Sequence, residues 1–313
     1  MAEQSLAERA VSAGFAWGWR AGRALDSRAA RIGFDVVADL GWRRAGPSVD
    51  RLRENLRRVV GPELSESDLD TLTRRGLRSY ARYFREVFWM PTARPGLVAQ
   101  RTRVSGADHL AGFRAQGRGI VCALPHTGNW DAAAVAYLCD FGPPVTVVAE
   151  RLRPEKLYQR FQSYRESLGM VVVPLTGGDR PPAAELTETL RQGGTVCLLC
   201  DRDLTNSGVP VSFFGETVTV PPGPALLAAQ SGAALIPTVP GFEGDDWTIR
   251  FFPEVVFNGP DAPKRLRDKV TGAMQKVVDQ FASGIAEAPQ DWHMMQRLWR
   301  EDLEPATTGW SPR

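Results

Sequence analysis

From about residue 103 onward, short apolar runs alternate with stretches of helical pattern, and this alternation restricts the fold more than any other feature of the chain. The runs at Ile120–Leu124, Val145–Ala149, 171–173, Thr195–Leu199 and 234–237 have strand length and strand composition. Residues 247–256 add a further strand, antiparallel to the others. Helical patterns fill 131–140, 154–168, 182–192, 222–231 and 264–286. Such alternation predicts an α/β fold with a mostly parallel central sheet flanked by helices on both faces. Ligands of such sheets bind at the carboxyl ends of the strands. His126, Glu150, Asp201 and Arg202 each follow a predicted strand end, so the pattern brings all four to one rim.

Residues 5–90 read as helical throughout. Leu6, Ala10, Ala13, Phe15, Trp17 and Ala21 form an apolar stripe edged by Arg9, Arg20 and Arg23. That pattern suits a membrane interface, and equally a helix packed on its own domain. Further helices are expected at 34–42 and 49–60, and a long one starts at Ser65-Glu-Ser-Asp68 and runs to Trp89. The division expected is an N-terminal helical region over 1–102 packed on an α/β core over 103–313, as one structural unit.

With 43% hydrophobic and 24% charged residues, the chain is globular. A net charge of +2 gives no support to nucleic-acid binding. Lys occurs only at Lys156, Lys264, Lys269 and Lys276, which fits a GC-rich genome. Cys122, Cys139, Cys197 and Cys200 read as packing thiols in a reducing compartment. Cys197 and Cys200 would face opposite sides of a strand, and no second cluster completes a metal site. No run reaches the ~18 to 20 apolar residues that span a bilayer, and the N-terminus lacks the pattern of a secretory signal. Any encounter with a membrane is therefore expected at its surface.

The stretch Leu124-Pro-His-Thr-Gly-Asn-Trp-Asp131 carries the chemistry. Five residues of helix turn through roughly 500°, so His126 and Asp131 would diverge on a continuous helix. They can meet if His126 lies on the loop leaving a strand and Asp131 in the first turn of the next helix. An imidazole oriented by a carboxylate is what a general base needs to deprotonate an alcohol. The alternative is a loop histidine and a helix-start aspartate without chemistry. The chain holds no Gly-x-Ser-x-Gly nucleophile motif, so direct attack is expected in place of a covalent intermediate.

This stretch resembles the first motif of the bacterial lipid A biosynthesis acyltransferase family, within the His-x4-Asp glycerolipid acyltransferases. Further blocks match in order from about Arg103 to Trp299. They include Val147-Val-Ala-Glu150-Arg151, Tyr164-Arg165-Glu166, Cys200-Asp201-Arg202-Asp203, Phe213-Phe-Gly215, Pro221-Pro-Gly-Pro and Trp292-His-Met-Met-Gln296. Within the family the likeness is strongest to the actinobacterial phosphatidylinositol mannoside acyltransferases, through 148–155, 174–182 and 288–295.

The resemblance implies an acyl-CoA-dependent enzyme, with palmitoyl-CoA as donor and no cofactor or metal. The implied acceptor is a phosphatidylinositol mannoside, acylated at the 6-position of the mannose on inositol O2. His126 would be the general base and Asp131 its orienting carboxylate. Glu150, Arg165, Asp201 and Arg202 would bind substrate; Arg165 is a candidate either to pair with Glu150 or Asp201 or to stabilise negative charge on a phosphate or oxyanion. Where those mannoside enzymes have Glu-Arg-Asp, this chain has Asp201-Arg202-Asp203, one methylene shorter, which bears on the acceptor. Gly223 at a helix start is a candidate for phosphate binding, or simply part of a tight loop. Tyr80, Tyr83, Phe84, Phe88 and Trp89 are candidates for a groove wall, or simply core. The implied location is peripheral, on the anionic cytoplasmic face of the plasma membrane. Three other functions stay open at this point: a lysophospholipid or other glycolipid acyltransferase, an acyl-CoA thioesterase, and a non-catalytic lipid binder.

Overall fold

The computed structural model describes residues 14–299 apart from 16, 17, 19, 152, 153, 204–206 and 257–263. Seven strands form the main sheet: β1 (Thr102–Ser105), β2 (Ile120–Leu124), β3 (Val145–Ala149), β4 (Val171–Pro174), β5 (Thr195–Leu199), β8 (Ala234–Glu243) and β9 (Asp246–Phe251). Their order is β1-β9-β8-β2-β5-β3-β4, and β8 with β9 is the antiparallel pair among otherwise parallel neighbours. A separate hairpin joins β6 (Val209–Phe213) to β7 (Glu216–Val220).

The N-terminal helices are α1 (Arg28–Arg44), α2 (Pro47–Val60), α3 (Glu66–Trp89) and the short α4 (Leu97–Gln100). The helices of the core are α5 (Asp108–Ala115), α6 (Trp130–Phe141), α7 (Glu155–Ser167), α8 (Pro182–Arg191), α9 (Gly223–Ser231) and α10 (Leu266–Glu287). The α/β alternation and the N-terminal helical region are as the sequence predicts.

All five residues of β2 are buried, because both faces of this strand are covered. Ile120, Cys122 and Leu124 pack with Ala133, Ala134 and Tyr137 of α6. Val121 and Ala123 point the other way, into a core with Leu186 of α8, Leu227 of α9 and Phe281 of α10. This is the two-residue period of a strand applied to a fully apolar run.

Ser65 starts α3 by accepting a hydrogen bond from the Asp68 N–H at 3.2 Å. The aromatic stripe of α3 is core. Phe84 and Phe88 each pack edge-on against Phe15, with ring centres 5.5 Å apart in both cases. Phe15 is described within the first predicted helix, whose stripe otherwise lies largely outside the described residues. Cys139 departs from the expected packing thiols: it is exposed on α6, while Cys122 and Cys200 are buried.

Glu86 joins the helical region to the sheet. Its side chain is 2% exposed. One carboxylate oxygen accepts from Asn129 Nδ2 at 2.8 Å and Trp247 Nε1 at 2.7 Å. The other accepts from Arg82 Nε at 2.7 Å. Removing a buried partner leaves its donors without acceptors, a loss of about 3–5 kcal/mol for a buried charge. Glu86→Ala is expected to lower unfolding free energy by about that much, measured by urea denaturation. A loss within about 0.5 kcal/mol, typical of a surface change, would contradict this role.

Candidate active site

The loop after β2 is shaped by a close approach. Gly128 has φ 53°, and a Cβ there would come within 2.7 Å of the Gly241 backbone, so no larger residue fits. Asn129 then caps α6, its side-chain oxygen accepting from the Ala132 N–H at 2.9 Å. This geometry leaves His126 at the sheet rim with its side chain 29% exposed.

His126 is held by Asp201, which follows β5, the neighbour of β2. His126 Nδ1 lies 2.5 Å from Asp201 Oδ1, and the His126 backbone N–H donates to Asp201 Oδ2 at 2.9 Å. Trp292 Nε1 donates to the same Oδ2 at 3.0 Å. The Asp201 side chain is fully buried. Burial pushes its carboxyl pKa up, but the charge and bonds of His126 and the Trp292 bond outweigh that and hold it below the usual range. An ionised carboxylate can only accept, so in the neutral imidazole Nδ1 carries the proton and Nε2 presents a lone pair.

This corrects the expected partner. Asp131 was expected to orient His126, but it is engaged elsewhere. Arg165 Nε donates to Asp131 Oδ1 at 2.8 Å, and Tyr83 OH donates to Oδ2 at 3.0 Å. Arg165 therefore pairs with Asp131, and not with Glu150 or Asp201, the two carboxylates considered for it from the sequence. Burial disfavours the charged guanidinium, but the Asp131 carboxylate more than offsets this and raises its pKa. Asp131 and Arg165 border a narrow apolar cavity of about 50 Å³ on the α6 side, with Trp130.

The rim residues do gather. His126, Glu150 and Arg202 line one groove of about 510 Å³, whose walls include Val148, Leu186, Leu198 and Leu226. Gly223 at the start of α9 also borders it. Arg202 Nη2 stands 3.8 Å from Glu150 Oε2, a loose and half-exposed pair. The aromatic stripe of α3 is absent from this lining.

His293 is a site residue that the motif reading missed. Its backbone N–H donates to the His126 carbonyl at 2.8 Å. Ser79 Oγ donates to Asp291 Oδ1 at 2.8 Å and lies 3.0 Å from His293 Nε2. Nε2 is thus the donor and Nδ1 the free lone pair. Among the described residues, His293 Nδ1, Trp130 Nε1 and Arg202 Nε are buried polar atoms without a hydrogen-bond partner. Trp130 stands edge-on to His126 at 5.6 Å between ring centres and 6.2 Å from His293. Unpaired buried polar atoms are rare in folded chains, and Arg202 Nε belongs to a residue that lines the same groove as His126.

The sequence matches the pattern of the bacterial lipid A biosynthesis acyltransferases over residues 6–301. The chain belongs to that family. A phosphatidylinositol mannoside acyltransferase of Mycolicibacterium smegmatis is 46% identical over 298 residues, covering 95% of this chain and 94% of the relative. One of Mycobacterium tuberculosis strain H37Rv is 45% identical over 301 residues, covering 96% and 92%. A lipid A biosynthesis acyltransferase of Haemophilus influenzae is 23% identical over 204 residues. The chain is a lipid acyltransferase. The acyltransferase has no group of three metal-binding side chains among its described residues.

Burial lowers the His293 pKa to about 3, and His126 adds to the effect. Unfolded histidine binds a proton below about 6.5. Between those values the unfolded acyltransferase binds more protons than the folded one, so stability falls as pH drops through the window. From pH 6.5 to 4.5 the wild type should lose stability more steeply than His293→Gln, by up to about 1.4 kcal/mol per pH unit. Urea midpoints at the two pH values measure this, and equal slopes would refute it.

Proposed function

We propose that this acyltransferase moves a palmitoyl group from palmitoyl-CoA to a mannose hydroxyl of a phosphatidylinositol mannoside. The observation that carries the reading is His126, tied to the buried Asp201 carboxylate at the mouth of an apolar groove. The names of the relatives at 45–46% identity support the acceptor.

In this reading His126 Nε2 takes the proton of the mannose hydroxyl as its oxygen attacks the thioester carbonyl. The new C–O bond forms, the C–S bond breaks, and the departing thiolate of coenzyme A takes the proton from the imidazolium. Asp201 fixes the tautomer and stabilises the imidazolium between these steps, as orienting carboxylates do in other dyads and triads. The acyl chain lies in the groove of about 510 Å³, a volume within the range of small-molecule sites. Glu150, Arg202 and the unpaired nitrogens of Trp130 and His293 offer hydrogen bonds to a polyhydroxylated ring. The Asp131–Arg165 pair borders the adjoining cavity and shapes the same side of the site.

No helix among the described residues is long and apolar enough to cross a membrane. The enzyme in this reading works at the anionic cytoplasmic face of the plasma membrane, where a phosphatidylinositol lipid presents its headgroup.

His126→Ala and Asp201→Asn should each lower acyl transfer by about 10²- to 10⁴-fold in a folded protein. Coenzyme A release measures this, and a folded His126→Ala variant keeping most activity would end the proposal. Acceptor choice tests the rest. Release of coenzyme A from palmitoyl-CoA should rise sharply with phosphatidylinositol monomannoside or dimannoside and little with lysophosphatidic acid, because a site built for several hydroxyls rejects a ligand lacking them. A preference for lysophosphatidic acid would make the protein a glycerolipid enzyme. No acceleration by any acceptor would make it a thioesterase.

Leu226→Trp narrows the groove from the α9 side. It should reduce turnover of palmitoyl-CoA far more than that of butyryl-CoA. Equal loss with both donors would move the acyl chain out of this groove.

A further inference from the structure

Among the described residues, α1 carries a group of exposed apolar side chains that the site described above does not use. Among the described residues, seven large apolar side chains are exposed, and four of them share this helix: Ile32 (55%), Val36 (50%), Val37 (66%) and Leu40 (46%). The other three, Val171, Val256 and Leu266, are scattered over different parts of the fold. At 100° per residue, positions 32, 36, 37 and 40 fall on one side of the helix, interleaved with the exposed Gly33 and Gly41. The side turned inward is accounted for. Ala38 is buried, Phe34 packs with the aromatic cluster of α3, and Asp39 receives both Arg74 and Arg78 of α3. Among the described residues, the outward strip has no such partner and no acidic side chain.

Charge decides what covers it. Arg28 is exposed at one end of α1, and Arg43 and Arg44 are exposed at the other. Arg75 is exposed on the adjoining α3. The two acidic residues of α1, Asp35 and Asp39, lie beside this arc and not within it, and Asp39 is neutralised by its two guanidinium partners. A strip of Ile, Val and Leu with arginines at both ends fits the boundary between acyl chains and anionic headgroups. Self-association through this face would instead bring like charges together.

We infer that the outward face of α1 is the surface by which this protein docks on a bilayer containing anionic lipid, lying in the plane of the interface. This rests on the reading of the protein as an acyltransferase of a membrane lipid. It puts the contact on residues 28–44, a segment distinct from the first predicted helix.

The test is sedimentation of the full chain with vesicles of phosphatidylcholine alone, and of phosphatidylcholine mixed with phosphatidylglycerol. The wild type should bind the mixed vesicles strongly and the neutral ones weakly. The double variant Ile32→Glu/Val37→Glu should lose roughly tenfold or more of the mixed-vesicle binding. Arg43→Ser/Arg44→Ser should weaken binding to mixed vesicles and leave binding to neutral ones unchanged. Val256→Glu, an exposed apolar site elsewhere, should bind like the wild type. Turnover of palmitoyl-CoA with acceptor dispersed in detergent micelles should be unchanged in all three variants. Equal vesicle binding by the wild type and Ile32→Glu/Val37→Glu overturns the inference. So does a wild-type dimer in solution that this double variant converts to a monomer. If vesicle binding follows the expected pattern while no mannoside accelerates thioester cleavage, the docking surface stands and the proposed reaction falls.

Discussion

A carboxylate with no access to water organises the reacting end of this molecule. Taking such a charge out of solvent costs several kcal/mol, and the fold must return that through bonds. Asp201 receives three: from the His126 imidazole, the His126 backbone and the Trp292 indole. These donors come from two segments 166 residues apart in sequence (292 − 126). The carboxylate therefore binds the end of β5, the loop after β2 and the C-terminal segment into one assembly. The strand-like bridge between Thr127 and Trp292 and the bond from His293 to the His126 carbonyl continue the same junction. A site arranged in this way is held in place before substrate arrives, which is what electrostatic catalysis requires.

Much of the fold was legible because buried strands need apolar runs and covering helices need amphipathic ones. The five parallel strands and the helices between them follow that rule. The rim was legible for the same reason: a residue after a strand lies at the strand's carboxyl end whatever the strand order. The partner of His126 was not legible. The sequence spacing suggested Asp131, five residues away, whereas the bonded carboxylate is 75 residues away. That proximity depends on β5 lying beside β2, and strand order leaves no mark in local periodicity. Asp131 meanwhile takes up Arg165 and Tyr83, both from other helices.

The other misses have local causes. The β6–β7 hairpin turns through Phe214 at φ 47° and Gly215 at φ 84°, and a phenylalanine in a left-handed turn gives no sequence signal. Strand β8 continues past Pro237 through Pro240 and Gly241, residues that usually end strands. It does so beside β9, and the Pro240 carbonyl accepts the Thr127 hydroxyl at 2.7 Å. His293 escaped notice because its importance comes from Ser79 and Asp291, which a motif search does not connect to it.

Glu86 also has a bearing on how the chain comes to be folded as it is made. Helix α3 leaves the ribosome well before either of the groups that share its buried oxygen, Asn129 and Trp247. Until residue 247 has been synthesised, that carboxylate must keep part of its hydration, and the aromatic side of α3 cannot close fully on the sheet. The helical region is made before the sheet, yet the bonds of its buried carboxylate are complete only once β9 is present. A chain interrupted between β5 and β9 would carry His126 and Asp201 but would leave the wall behind them wet.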